Sequence, residues 1–273
     1  MLSRSSETDG AKPFLKWVGG KRQLLGAILP LVPRRFGTYH EPFVGGGALY
    51  FHLAPARAVL SDGNERLIRA YRGVRNHAGE LIELLSGYPH EREFFEEMRT
   101  RAIDVRSDVE VAAWMIYLNR TAYNGLYRVN SKNVFNAPFG DYAKPRICNP
   151  NVIRECARVL AAADLRCEDF AAVGDRAKKG DFVYFDPPYV PLSASSSFTS
   201  YTRGGFGEEQ QTALRDLALA LKRRGVHVVL SNSGAPFVRK LYAKGFSMSE
   251  VQAARSVNAT ASGRGKITEL LIT

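Results

Sequence analysis

The chain has 273 residues, of which 45% are hydrophobic and 24% are charged, which is the balance of a globular protein with one large domain or one domain carrying an insertion. No apolar run approaches the roughly 18 residues that a membrane span requires. Residues 1–11 are polar and lack the apolar segment of a signal peptide, so we expect a disordered tail there. The 38 Lys and Arg residues exceed the 27 Asp and Glu residues by 11. This excess favours a polyanionic partner such as nucleic acid over solubility alone or attraction to a membrane surface.

The three cysteines and five histidines show no metal-binding or disulfide pattern. Cys148, Cys156 and Cys167 are odd in number and contain no CxxC pair, which fits a reducing compartment and predicts a cytoplasmic protein. The histidines lack an HExxH spacing. We therefore expect no metal site.

The first predicted elements alternate between helix and strand. A helical pattern covers residues 21–29, and a strand is predicted over residues 38–44. A glycine turn and a helix follow, and a second strand over residues 56–61 leads into Asp62. Strand, glycine turn, helix, strand and acid in this order are typical of a nucleotide-binding half-fold.

The alternation then stops and resumes about a hundred residues later. Residues 65–160 are mostly helical in pattern, with a polar loop over residues 121–150. The later elements are strands over residues 165–167 and 182–185, a helix through Leu214, Leu217 and Leu221, a strand over 226–230, a short helix over 234–241 and a closing strand over 267–272.

The simplest architecture is an α/β sheet domain built from both ends of the chain and interrupted by a helical insertion. The predicted boundaries are a tail over residues 1–11, a sheet domain over 12–64 and 161–273, and an insertion over 65–160.

The tetrapeptide Asp186-Pro187-Pro188-Tyr189 directly follows an apolar strand pattern. A carboxylate at the carboxyl end of a strand lies where open α/β sheets bind ligands, and the two prolines remove backbone donors and leave rigid carbonyl acceptors. Asp186 and the Pro187 carbonyl can accept the two N–H bonds of an amino group, while Tyr189 stacks on the heterocycle that carries it. The alternative is an ordinary Pro-Pro turn with an exposed Asp.

The segment EPFVGGGA, residues 41–48, places three glycines between a strand and a helix, where a ligand can approach the backbone closely. Asp62, at the end of the next strand, can accept hydrogen bonds from ribose hydroxyls. Tyr50 stands where a dinucleotide fingerprint needs a third glycine, which favours a nucleoside without phosphates. A glycine-rich turn without a ligand remains open.

The segment KWVGGK, residues 16–21, differs from a phosphate-binding P-loop at Leu15 and Arg22. Lys21 can pair with a ligand carboxylate, and Trp17 can cover that ligand. A helix start with a core Trp is the alternative interpretation.

Six segments in chain order resemble the Dam-type family of adenine-specific DNA methyltransferases: KWVGGK, EPFVGGG, NRTAYNGLYRVN, FNAPFG, DPPY and LSN. The resemblance covers residues 12–273, and the order of cofactor motif, recognition insertion and DPPY is that of the family's α group. It implies a Rossmann-like S-adenosylmethionine-dependent methyltransferase sheet with an inserted helical DNA-recognition domain. It also implies S-adenosylmethionine as the methyl donor and double-stranded DNA as the partner.

The resemblance implies a role for each matching residue. The catalytic group would be Asp186, Pro187, Pro188 and Tyr189, acting on an adenine flipped out of the duplex. The cofactor contacts would be Trp17, Lys21, Asp62 and Asp186, with Glu41, Gly45 and Gly47 around the methionine moiety and Asp169 and Phe170 around the adenine. The DNA contacts would be Lys16, Tyr123, Asn124, Leu126, Arg128 and Pro138, with GATC as the candidate site.

Two further segments resemble family loops: residues 198–201 would close over the active site, and residues 258–266 would form a mobile loop near DNA. Gly63 departs from the isoleucine that the family often has there. Methylation of RNA or of a protein glutamine amide is one rival function, although such enzymes more often carry Asn before the prolines. A DNA-binding module that has lost catalysis is another. A cognate restriction endonuclease is a possible partner.

Overall fold

The computed structural model describes residues 11–17, 19, 21–190, 206–254 and 266–273. Residues 1–10 of the expected tail, the expected closing segment 198–201 and residues 258–265 of the expected DNA-side loop lie outside this part of the chain.

The described residues form a single seven-stranded sheet. Its strands are β1 (Tyr39–Glu41), β2 (Ala58–Asp62), β3 (Ala163–Cys167), β4 (Phe182–Phe185), β5 (His227–Ser233), β6 (Met248–Ala254) and β7 (Lys266–Ile272). The order across the sheet is β3-β2-β1-β4-β5-β7-β6. Strands β1 to β5 are parallel, and β7 lies antiparallel to both β5 and β6. Because the chain runs outward from β1 in one direction and from β4 in the other, the sheet has a topological switch point between β1 and β4, where such sheets bind ligands.

Ten α-helices lie in the described residues, joined by short 3-10 turns. They are α1 (Leu25–Ile28), α2 (Ala48–Leu53), α3 (Glu65–Asn76), α4 (Ala78–Gly87), α5 (Arg92–Thr100), α6 (Asp108–Thr121), α7 (Pro150–Leu160), α8 (Val173–Arg176), α9 (Glu208–Arg223) and α10 (Pro236–Tyr242). Five of them, α3 to α7, lie between β2 and β3 in the chain.

Helix α6 is the buried centre of that helical region. It begins at a capping box in which the Ser107 hydroxyl accepts from the Glu110 N–H and the Glu110 carboxylate accepts from the Ser107 N–H. Nearly every later residue of the helix is buried, which is the pattern of a helix packed on all sides rather than on one face. Its C-terminal end therefore has a fixed place, and the polar loop starts from there.

The side chains of β4 alternate between two hydrophobic clusters, one on each face of the sheet. Phe182 and Tyr184 belong to the cluster shared with α3 and α6, while Val183 and Phe185 belong to the cluster shared with α9 and α10. This period of two is what a strand covered on both faces requires. The α/β fold class is confirmed.

Several predicted element boundaries were wrong for identifiable reasons. The predicted helix over residues 21–29 is divided into two 3-10 turns around the short α1, and Pro30 lies inside the second turn. Strand β1 ends at Glu41 because Pro42 and the glycine turn follow. Strand β6 was missed because it lies at the edge of the sheet and lacks a strong apolar pattern.

The division of the chain at residues 64 and 160 stays a prediction. One hydrophobic cluster extends from Tyr39 and Leu60 of the sheet to Trp114 of α6. The helical region and one face of the sheet thus share a core.

Candidate active site

The carboxyl ends of the parallel strands bring together four polar side chains that lie far apart in the sequence. Glu41 ends β1, Asp62 ends β2, Asp186 follows β4, and Ser231 lies in β5. Since β1 and β4 are neighbours, Glu41 and Asp186 lie on the two sides of the switch point. Lys21 reaches the same edge from the segment that precedes α1.

Asp186 is fixed through one of its two carboxylate oxygens. Lys21 Nζ lies 2.9 Å from Oδ1, and the Ser231 hydroxyl donates to the same oxygen at 2.8 Å. Burial raises the pKa of Asp186 above its ordinary value, while Lys21 and Ser231 act in the opposite direction. Among the described residues no donor bonds to Oδ2. Asp186 thus has one anchored oxygen and one oxygen that a ligand can use.

The Asp-Pro-Pro-Tyr turn is held in place by a buried amide pair. Pro188 presents its carbonyl to Gln211 Nε2 of α9 at 2.9 Å, and Gln211 Oε1 accepts from Asn232 Nδ2 at 2.9 Å. Both amide side chains are fully buried. Within the described chain the Pro187 carbonyl accepts no hydrogen bond, so it is a free acceptor in this turn.

Tyr189 is fixed at its hydroxyl and on its ring face. The hydroxyl donates to Glu269 Oε2 at 2.5 Å, and Lys21 Nζ lies 4.5 Å from the ring centroid. Glu269 Oε2 is also 3.9 Å from Lys21 Nζ. Burial raises the pKa of Glu269, against the effects of Lys21 and Tyr189. Lys21 is therefore shared between two carboxyl groups.

The Asp62 carboxyl group accepts one backbone hydrogen bond on each oxygen. Gly45 N–H donates to Oδ2 at 3.1 Å, and Asn64 N–H donates to Oδ1 at 2.9 Å. Burial raises its pKa to about 6, while these two bonds lower it. A carboxylate has about four acceptor sites, so each oxygen keeps capacity for a ligand hydroxyl.

Glu41 is nearly completely buried between these groups. It accepts a hydrogen bond from the Tyr39 hydroxyl at 2.9 Å. Burial raises its pKa to about 8, opposed by that bond and reinforced by the charges of Asp186 and Asp62. The neutral acid is favoured at pH 7.

The two predicted turn glycines are required by close packing. Gly45 and Gly47 have φ values of +46° and +65°, which side chains rarely adopt. A Cβ on Gly45 would lie 2.8 Å from Trp17 Cδ1, and one on Gly47 would lie 2.7 Å from the Tyr71 hydroxyl. Trp17 thus lies directly against the turn at Gly45.

Asp169 and Phe170 follow β3 at the same edge of the sheet. Asp169 is exposed and accepts from the Ala171 N–H at 2.9 Å, which caps a 3-10 turn. Phe170 is buried, and its ring stacks on Phe43 with centroids 5.4 Å apart. This pair places an aromatic wall beside the strand ends.

The residues predicted to contact DNA lie on the loop that follows α6 and beside it. Exposed members are Lys16, Tyr123, Arg128 and Pro138, and Asn124 and Leu126 are half-buried. Asn124 has a φ of +57°, which forms a tight turn. Arg128 donates to the side chain and the backbone carbonyl of Asn136, both at 2.8 Å, so three of its five N–H groups stay free of bonds to the described residues.

A basic cavity of about 300 Å³ lies next to this loop. Its lining includes four cationic side chains, those of Lys16, Arg120, Lys144 and Arg146. Burial lowers the pKa of Arg120, and the nearby Arg146 lowers it further. No described carboxylate forms an ion pair with any of the four.

In the described part of the chain, no group of three or more His, Cys, Asp or Glu side chains is arranged to hold a metal ion. None of the helices there has the length and apolar character needed to cross a bilayer.

Sequence reasoning missed Ser231, Gln211, Asn232 and Glu269 as individual site residues. Ser231 and Asn232 belong to the LSN segment, whose polar residues inside an apolar strand are a usable signal. Glu269 is likewise a lone acid within the apolar closing strand. Gln211 has no signal, since its helix has many polar residues.

A mostly parallel sheet with acidic residues at the ends of its strands and the Asp-Pro-Pro-Tyr turn at the switch point define a Rossmann-like methyltransferase. The family model for D12 class N6 adenine-specific DNA methyltransferases matches residues 17–257. The chain belongs to this family, whose members generally use S-adenosylmethionine.

Three relatives match this chain along nearly their whole length. A type II methyltransferase, M1.LlaDCHI of Lactococcus lactis, is 46% identical over 96% of this chain and 95% of its own. The type II methyltransferase M.MjaIII of Methanocaldococcus jannaschii is 39% identical over 96% and 98%. The DNA adenine methylase of Escherichia coli K12 is 34% identical over 95% and 94%.

Proposed function

We propose that this chain transfers a methyl group from S-adenosylmethionine to the N6 amino group of adenine in duplex DNA. The observation that carries this proposal is the hydrogen bonding of the Asp186 carboxylate. One oxygen is held by Lys21 and Ser231, while the other is free beside the unbonded Pro187 carbonyl. Two free acceptors on a rigid turn, next to an aromatic ring, suit a planar amine with two hydrogens.

The residues at the strand ends fit S-adenosylmethionine chemically. Its ribose hydroxyls are donors for the spare acceptor sites of Asp62, and its carboxylate can pair with Lys21. Its adenine can lie against the Phe170 wall. Glu41 and the turn at Gly45 and Gly47 would line the methionine moiety. When bound, the cofactor supplies an electrophilic methyl group on a sulfonium.

The protein would activate the amine by accepting hydrogen bonds from its two N–H groups. The N6 lone pair is delocalised into the adenine ring, and acceptors at Asp186 and Pro187 favour a pyramidal nitrogen whose lone pair is available. Their partial negative charge also stabilises the positive charge that develops on nitrogen. Holding the reacting groups in attack geometry contributes up to about 7–11 kcal/mol. Tyr189 would stack on the flipped base and offset part of the few kcal/mol that flipping costs.

The loop after α6 would read the duplex, and the basic cavity would hold its backbone. Arg128 keeps free N–H groups for the two major-groove acceptors of guanine, and Leu126 can contact a thymine methyl. Lys16, Tyr123, Asn124 and Pro138 lie on the same side. The unpaired cations of the cavity suit phosphate groups. We propose GATC as the candidate site and residues 65–160 as the recognition insertion.

Two of the similar proteins are named type II methyltransferases, which supports a cognate restriction endonuclease as a possible partner. The Escherichia coli relative is named a DNA adenine methylase, without the type II designation. The genes beside this one distinguish the two roles.

The test uses tritiated S-adenosylmethionine, the unsubstituted chain and two duplexes that differ only at the adenine of GATC. Label in the adenine-containing duplex alone supports donor, substrate and site. Label in plasmid DNA but in neither duplex contradicts GATC as the recognition site and still supports methyl transfer to DNA. Label in RNA but in no DNA contradicts the proposed substrate.

A further inference from the structure

Asn119 makes three hydrogen bonds from the end of α6 to backbone groups outside that helix. It is 1% exposed. Its Oδ1 accepts from the Lys16 N–H at 2.8 Å. Its Nδ2 donates to the Lys16 carbonyl at 2.8 Å and to the Gly125 carbonyl at 2.7 Å. One amide thus fixes the segment before Trp17 and the turn at Gly125 to each other.

Two further contacts join the same pair of segments. A Cβ on Gly125, whose φ is +66°, would lie 2.8 Å from Lys16 Cδ, so the Lys16 side chain packs across this turn. The Trp17 and Tyr127 rings stack with centroids 5.4 Å apart and an interplanar angle of 21°. These two contacts allow one segment to slide along the other, whereas the pair of hydrogen bonds between the Asn119 amide and the Lys16 backbone fixes which residues lie opposite each other.

Trp17 also touches the turn at the strand ends. It packs against Gly45 so closely that a Cβ there would lie 2.8 Å from Trp17 Cδ1. The Gly45 N–H in turn bonds to Asp62. A continuous series of contacts therefore leads from Asp62 through Gly45 and Trp17 to the loop after α6.

We propose that Asn119 is a positioning residue that sets the loop of residues 123–128 against the segment of Lys16 and Trp17, so that base discrimination and cofactor affinity depend on each other through it. The proposal rests on the proposed function. Both N–H groups of the Asn119 side chain are bonded to the protein, and at 1% exposed this side chain is buried away from the surface that would meet a ligand. It bonds directly to the Lys16 backbone, and its effect on the side chains of Asn124, Leu126 and Arg128 is indirect.

The amide chemistry makes Asn119→Asp a sharp test. A carboxylate has nearly the same shape but cannot donate, so the Lys16 and Gly125 carbonyls lose their partner and face a negative charge. An unmatched buried acceptor is costly enough to shift the loop. We expect the preference for the recognition sequence over single-base variants to fall on the order of tenfold, the factor that about 1.4 kcal/mol represents.

The recognition sequence is first mapped as methyladenine in plasmid DNA treated with the unsubstituted chain. If that chain methylates no DNA, the proposed function is wrong. If it does, the ratio of kcat/KM on cognate and single-base-variant duplexes is measured for both proteins. Binding of S-adenosylmethionine is measured with and without cognate duplex, because coupling between two ligands is reciprocal.

Thr121→Val is the matched control. Thr121 is fully buried near the end of the same helix, and its hydroxyl bonds only within that helix, to the Tyr117 carbonyl at 2.8 Å. A merely structural role for Asn119 predicts that both variants lower Tm and kcat alike and keep sequence preference and cofactor coupling. That result overturns the proposal. Loss of preference and coupling in Asn119→Asp alone supports it.

A second variant covers the case in which Asn119→Asp does not fold. Gly125→Ala disturbs the same junction from the loop side. The new methyl group would meet the Lys16 side chain, and the alanine backbone would have to keep a positive φ that is unfavourable for it. A reduced sequence preference in this variant supports the proposal, and an unchanged preference contradicts it.

Discussion

Lys21 Nζ lies 2.9 Å from Asp186 Oδ1 and joins the first glycine-rich segment to the Asp-Pro-Pro-Tyr turn. The same ammonium donates to the Gly19 carbonyl at 2.6 Å. Because Lys21 is only 5% exposed, water screens this pair weakly. The ammonium therefore helps to keep Asp186 ionised in a site whose burial favours the neutral acid.

Replacing Lys21 should change the pH dependence of methyl transfer. Lys21→Met removes the charge that lowers the pKa of Asp186, so that pKa rises further above its ordinary value. Since the ionised form is the better acceptor, the acidic limb of kcat/KM should move to higher pH. A move of one unit is a tenfold loss at a fixed pH on that limb. An unchanged limb would show that Asp186 does not govern it.

Replacing Asp186 should remove activity without removing the fold. Asp186→Asn keeps the size and one acceptor oxygen but loses the charge, and we expect kcat to fall on the order of 10²- to 10³-fold, the effect of losing one electrostatic contact to a transition state. Asp186→Ala should abolish transfer. Circular dichroism and cofactor calorimetry serve as controls, and retained activity in Asp186→Ala would contradict the mechanism.

Glu41 should make the protein less stable as the pH rises. Its pKa of about 8 in the folded chain exceeds the ordinary 4.5, so the folded state binds more protons between these values. The stability from this group is complete below pH 4.5 and is lost as the pH rises through 8. Glu41→Gln should therefore lose less Tm between pH 5 and pH 8 than the unsubstituted chain does. Glu93→Gln, an exposed acid on α5, should behave like the unsubstituted chain.

Arg128 and Lys144 should differ in what their loss changes. Arg128→Ala should relax site choice by about 1–3 kcal/mol at one base position, because the guanidinium is proposed to contact a base edge. Lys144→Ala, in the basic cavity, should weaken binding to all duplexes and lower the salt dependence. Competition binding at two salt concentrations measures both. Equal losses on every sequence for Arg128→Ala would show that it contacts only phosphate.

The hydroxyl of Tyr189 should matter less than its ring. Tyr189→Phe loses the bond to Glu269 but keeps the stacking surface, and a single hydrogen bond to a charged group contributes about 1.5–3 kcal/mol at most. Tyr189→Ala also loses the ring, so base flipping, followed by 2-aminopurine fluorescence at the target position, should be weakened more. Equal flipping in the two variants would mean that the ring does not stack on the base.

Local patterns predicted the chemistry of single segments better than the contacts between them. The residues of the Asp-Pro-Pro-Tyr turn are adjacent in sequence, and an apolar strand before them places the turn at a sheet edge. The partners of that turn, Gln211 and Asn232, come from α9 and β5. Their pairing depends on the strand order, which hydrophobic periodicity does not encode.

Short helices and edge strands were not predicted correctly from the sequence, for a related reason. The helical pattern that begins at Lys21 forms two 3-10 turns around the short α1 instead of one helix, and Lys21 in the first turn contacts Asp186, a tertiary contact that local propensity does not encode. Among the described residues, strand β6 pairs only with β7 and lies at the edge of the sheet, so its sequence needs little apolar character. In the sequence Asn119 is only the first residue of the NRTAYNGLYRVN segment, and its three hydrogen bonds to backbone groups become evident only in the fold.

The antiparallel strand β7 returns the last part of the chain to the strand ends, where Glu269 meets Tyr189 and Lys21. Lys21 is synthesised before Tyr189, and Glu269 is synthesised after it. During synthesis, a chain that already holds the glycine turns and the Asp-Pro-Pro-Tyr segment still lacks the strand between β5 and β6. The acceptor of the Tyr189 hydroxyl is in place only once β7 has been synthesised, so a nascent chain that stops before β7 lacks one of the groups that hold Tyr189 in the candidate site.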